Sequence, residues 1–117
     1  MSTQKLIDVA GGMYVPTMTV VGSDGAAISN TYKHVNTVAT TLVKSGTGNL
    51  NNISINSKGT VASTVTVYDS LSATGTVVAI IDSLNISGTF TFDVAFTVGL
   101  TVVTTGTVAP SVTVSYR

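Results

Sequence analysis

Apolar and small polar side chains alternate through much of the chain, as in Val61-Ala62-Ser63-Thr64-Val65-Thr66-Val67-Tyr68 and Ser111-Val112-Thr113-Val114-Ser115-Tyr116. A period of two is the pattern of a half-buried β-strand, because successive side chains leave opposite faces of the sheet. It predicts Val on the core side and Thr or Ser toward solvent or a neighbouring subunit. From His34 onward the pattern recurs as runs over residues 34–43, 50–56, 61–69, 76–82, 88–96, 100–105 and 111–117. The breaks are turn-formers: Ser45-Gly46-Thr47-Gly48-Asn49, Ser57-Lys58-Gly59, the polar stretch 70–75, Gly99, Gly106 and Pro110. Short strands at intervals of about ten residues predict an all-β protein, an antiparallel β-sandwich of jelly-roll-like form.

Three runs carry more detail. In 50–56, strict alternation places Leu50, Asn52, Ser54 and Asn56 on one face and Asn51, Ile53 and Ile55 on the other. Val77-Val78-Ala79-Ile80-Ile81 is apolar on both faces, which suits a central strand covered on both sides or a strand at a subunit contact. On either reading Ile80→Asp is expected to disrupt the core or the oligomer. Phe90, Phe92, Val94 and Phe96 alternate with Thr91, Asp93 and Ala95, so one face of that strand carries every Phe and is expected to form the heart of the core.

Residues 1–32 differ. They contain Gly11-Gly12, Pro16, the turn signal Asp24-Gly25 and only short apolar runs such as Thr17-Met18-Thr19-Val20-Val21. The expectation is an extended N-terminal arm with one or two short strands over 1–32 and a β-sandwich domain over 33–117, the alternative being a first hairpin inside the domain. Leu50-Asn51-Asn52-Ile53-Ser54 and Leu84-Asn85-Ile86-Ser87 echo one another, too briefly for a repeat architecture.

Composition narrows the function. Val and Thr supply 40 of the 117 residues, and charged residues only 9%. Five basic residues balance five acids, so no electrostatic footprint for nucleic acid or an anionic membrane is present. Every acid is Asp, a turn and cap residue, and none is the helix-favouring Glu. Without Cys there is no disulfide, thiolate metal site or thiol nucleophile. Residues 1–8 lack the apolar core of a signal peptide, which argues against export, and no apolar stretch approaches the ~20 residues of a membrane helix. A mean hydropathy of +0.49 with so few charges implies a surface rich in Thr and Ser, or apolar surface buried between subunits.

Reactive groups are sparse. His34 is the only histidine, so it cannot assemble a multi-histidine zinc site, and as a base it would need a nucleophile and an orienting acid. It reads as a structural or surface residue. Asp69, Asp82 and Asp93 each lie in or beside a strand, but no dense Asp-x-Asp-x-Asn calcium pattern is present. The simpler expectation has Asp69 accepting from the amides of loop 70–75, Asp82 ending a strand, and Asp93 facing solvent or another subunit. Gly46-Thr47-Gly48 lacks the Lys-Ser/Thr of a phosphate loop and reads as a hairpin turn. Asn52-Ile53-Ser54 and Asn85-Ile86-Ser87 match the glycosylation acceptor by chance, and the Tyr and basic residues do not interleave as a nucleic-acid surface would. No residue is assigned a catalytic, cofactor-binding or metal-binding role, no cofactor is implied, and an enzyme is not expected.

One resemblance adds to this. Thr40-Thr41-Leu42-Val43-Lys44-Ser45-Gly46-Thr47-Gly48, Ile55-Asn56-Ser57-Lys58-Gly59, Thr66-Val67-Tyr68-Asp69-Ser70, Gly75-Thr76-Val77-Val78-Ala79-Ile80-Ile81-Asp82, Phe96-Thr97-Val98-Gly99-Leu100-Thr101-Val102-Val103-Thr104 and Val112-Thr113-Val114-Ser115-Tyr116-Arg117 follow one another in an order that resembles small structural proteins of tailed bacteriophages and prophages. The likeness spans 33–117 and leaves 1–32 outside. It implies a virion component, most plausibly a capsid decoration (cement) protein made in the host cytoplasm and placed on the capsid exterior. The expected partners are the major capsid protein and further copies of the chain, with a trimer favoured. The alternative is a tail or head-fibre accessory protein that binds a host-surface glycan through a loop such as 70–75.

Overall fold

The computed structural model describes residues 29–117, and the region expected to form most of the arm lies outside them. The described chain forms eight strands: β1 Thr31–Val35, β2 Ala39–Ser45, β3 Gly48–Ser57, β4 Val65–Asp69, β5 Thr76–Ile81, β6 Gly88–Phe96, β7 Gly99–Thr104 and β8 Ser111–Tyr116. They make two four-stranded antiparallel sheets, ordered β1-β8-β3-β6 and β2-β7-β4-β5. There is no helix among the described residues. Aliphatic side chains from both sheets meet in one core, Leu50, Ile53, Ile55, Val112 and Val114 from the first and Val65, Val67, Ile81, Leu100 and Val102 from the second, with Phe96. The arrangement is sandwich-like. At roughly 1.5–3 kcal/mol for each large aliphatic removed from water, this cluster dominates the stability of so small a domain.

The alternation holds where it is cleanest. Val65 and Val67 on β4, and Val112 and Val114 on β8, are buried while Thr66, Thr113 and Ser115 between them are half-exposed. Elsewhere bulges and crossovers correct the simple reading. Run 34–43 is two strands, because β1 pairs with β8 in one sheet and β2 with β7 in the other, and the chain crosses between them at Asn36-Thr37-Val38. β1 begins at Thr31, two residues inside the segment expected to be arm.

On β3 the ladder to β8 slips at Asn51, since Leu50 lies opposite Tyr116 and Asn52 opposite Ser115. One extra residue reverses the parity. Leu50 therefore joins Ile53 and Ile55 in the core rather than sharing a face with Asn52 and Ser54. In run 61–69 only Val65–Asp69 is strand, because Val61 and Ala62 sit at φ 47° and 58°, a left-handed conformation that no strand allows.

Val77–Ile81 is not central. Among the described strands β5 is an edge of its sheet, bonded only to β4, with a bulge at Val78 that turns both Val77 and Ile80 outward. The three Phe do pack on the core, but only Phe96 is buried. Phe90 and Phe92 are half-buried at its margin because β6 is also an edge, so the heart of the core is aliphatic. Phe96 lies across Gly48, where a Cβ would come within 2.5 Å of the ring.

Candidate functional site

The antiparallel ladders collect the loops at two ends. At one end are 46–47, 70–75 and 97–98, tied together by Gly46 N–H to Val98 O at 3.0 Å and Ser70 N–H to Gly99 O at 3.1 Å. At the other are 36–38, 58–64, 82–87 and 105–110, tied by Gly59 N–H to Ser83 O, Thr60 N–H to Val108 O and Thr105 N–H to Thr64 O, each at 3.0 Å.

Asp69 organises the first end. Its carboxylate accepts from three successive backbone amides, Thr97 at 3.0 Å, Val98 at 2.8 Å and Gly99 at 3.3 Å, and from the Thr97 hydroxyl at 3.3 Å. These bonds, Val98 foremost, hold the carboxyl below its ordinary range. The donors come from the β6–β7 turn and not from loop 70–75 as expected. That loop is held instead by its own Ser72 and Thr74 hydroxyls at 2.9 Å and by the Thr101 hydroxyl donating to Ser70 O at 2.7 Å. Its exposed apolar group is Leu71, and it presents no aromatic ring for a sugar to stack on.

The second end is built differently. A hydroxyl pair, Ser63 and Ser83, is buried with 2.7 Å between the oxygens. Gly59 packs so closely that a Cβ there would collide with Ser63 Oγ and with Val108 O. Thr64 and Thr105 share a hydroxyl contact of 2.8 Å, and the Thr105 hydroxyl also donates to Ala62 O at 2.9 Å. Asp82, directly after β5, accepts from the Asn85 side-chain amide at 2.9 Å and from the Leu84 and Asn85 backbone amides, and the Asn85 contact is the main reason its carboxyl is also held low. On this frame every loop offers an exposed aliphatic side chain: Val38, Val61, Leu84 with Ile86, and Val108.

The remaining candidates stay apart. His34 is exposed on β1 with Nε2 2.9 Å from the Ser111 hydroxyl, and among the described residues no carboxylate bonds to that pair. Asp93 is exposed in β6 at φ 51°, remote in role from the two turn-organising aspartates. Gly46 stands at φ 88° in the β2–β3 turn, as a hairpin reading requires. Among the described residues no three metal-ligating side chains come together and no cavity opens. The side-chain oxygen of Asn49 is buried without a hydrogen-bond partner. Among the described residues the structure assembles surface: two stitched loop clusters, one closed by a carboxylate and one by hydroxyls, and the outer strands of two sheets.

Sequence reasoning did not find the Ser63–Ser83 pair, the Gly59 contact or the aliphatic loop cluster. Each depends on loops brought together from distant parts of the chain. The one local signal was Gly59 itself, read as a turn. Comparison of the chain with protein-family models, with curated proteins and with solved structures finds no match.

Proposed function

We propose that the chain is a structural virion protein of a tailed phage, a capsid decoration protein that binds the outside of the shell and stabilises it. The observation that carries the proposal is the end of the domain at which all four loops present aliphatic side chains on a tightly hydrogen-bonded frame. A rigid rim of this kind binds a protein surface without ordering cost on its own side. The pairing of the strands also supports the reading: β1 with β8, β2 with β7, β3 with β6 and β4 with β5, all antiparallel. This is the nesting of a jelly roll, an architecture common in viral shells, and we read the fold as one.

In this proposal the aliphatic end faces the major capsid protein. Modest contacts repeated over many sites then act together. Catalysis has no part in it. Purified virions treated with a mild dissociating agent are expected to lose this protein before the major capsid protein, and its absence from virions would end the proposal. A tail or fibre location with glycan binding is the competing outcome, and binding in a glycan-array screen would favour it.

A further inference from the structure

The tip of loop 58–64 is bent in a way its residues resist. Val61 and Ala62 stand consecutively at φ 47° and 58°, in the left-handed region that Gly and Asn enter readily and a β-branched residue avoids. Asp93, the other left-handed side chain among the described residues, belongs to a type that tolerates the conformation. Val61 gains no burial in return, since its side chain is 66% exposed and lies outside the core. The bend is held from both flanks. Before it, the Thr60 amide donates to Val108 O at 3.0 Å, Thr60 O accepts from the Thr107 amide at 2.9 Å, and the Thr60 hydroxyl accepts from the Val108 amide at 3.1 Å. After it, Ala62 O accepts from the Thr105 hydroxyl at 2.9 Å, and that hydroxyl accepts from the Thr64 amide at 3.0 Å. Backbone strain persists only where the surroundings over-determine it, and it gathers at functional sites.

We infer that this tip is a preformed contact: its flanking bonds hold Val61 out from the aliphatic end, and burial of Val61 against the partner decides the affinity. The inference rests on the capsid docking proposed above and names the residue on which that docking turns. Position supports it. In the order β2-β7-β4-β5, the loop entering β4 lies between the loop leaving β7, with Val108, and the loop leaving β5, with Leu84 and Ile86. A side chain flanked in this way is the most fully desolvated when the end is covered, and contacts near the centre of an interface carry most of its energy. Because the bend exists before the partner arrives, docking does not have to order it. In the free chain the same residue is a burden. One position should therefore act with opposite sign on stability and on binding.

Two measurements on the full chain test this: urea denaturation of the free protein, and rebinding to purified virions from which a mild dissociating agent has removed it. Val61→Gly and Val61→Asn should each raise the urea midpoint and weaken rebinding by about tenfold or more. Leu71→Asn, at the opposite end, should leave rebinding unchanged. A lowered midpoint in both Val61 variants would show that the tip is not strained, and rebinding as tight as the parent's would show that Val61 makes no deciding contact. Either result overturns the inference while the parent's own rebinding upholds the virion reading. A parent chain that does not rebind would contradict the virion reading itself, and the inference with it.

Discussion

The two ends of the sandwich solve the same problem with different chemistry. At the 46–47, 70–75 and 97–98 end, a single carboxylate gathers three backbone amides and the surrounding loops are Ser, Thr and Gly with Leu71 and Val98. At the other end uncharged hydroxyls and a close-packed glycine hold the loops, and every loop turns an aliphatic side chain outward. The difference teaches that rigidity and stickiness are separable. Both ends are stitched and both expose aliphatic side chains, Leu71 and Val98 at the first, but only at the second does every loop expose one, through Val38, Val61, Leu84 with Ile86, and Val108.

Substitutions should separate these features. The largest effect is expected at the aliphatic end, where Gly59→Val drives a side chain into Ser63 and the Val108 carbonyl, costing about 3 kcal/mol by overpacking, read by urea denaturation. Ser63→Ala strands the buried Ser83 hydroxyl and should cost about 1–2 kcal/mol, whereas the double change Ser63→Ala with Ser83→Ala should recover much of that loss. If the double variant is no better than the single one, the pair is not the link that holds these loops.

At the polar end Asp69→Asn should lower the melting temperature at neutral pH. Because the Asp69 carboxyl is held below its ordinary value, its stabilisation is fully present above about pH 4, the unfolded range, and disappears as the pH falls through the lower folded value. The parent and Asp69→Asn should therefore converge in acid. A constant gap between the two melting curves would show that charge is not what closes this end. The smallest effect is a gain: Ala62→Gly relieves a left-handed alanine at φ 58° and should add up to about 1 kcal/mol, read by urea denaturation.

Much of the sheet was legible in the sequence, and the reasons for the failures are specific. Period two identified the strands wherever a strand is regular, as at β4 and β8. It misassigned Leu50 because the bulge at Asn51 changes parity without changing composition. It extended β4 back through Val61 because a Val-Ala-Ser-Thr run looks the same whether its backbone is extended or left-handed. It allowed Val77–Ile81 to be central because an apolar strand at an exposed edge and one in a sheet interior have the same letters, and only pairing distinguishes them. The functional surface was less legible. Aliphatic residues in four separate loops become a cluster only once the strands bring their ends together, and Asp69 found its partners 28 residues away rather than in the adjacent loop.

We propose a decoration protein applied to a capsid by its aliphatic end. Imaging the intact particle tests it most directly. The chain is expected at repeated positions over the outer shell, with Val38, Val61, Leu84, Ile86 and Val108 turned toward the major capsid protein. Density for it at the tail alone, or on the shell with that end facing solvent, would contradict it.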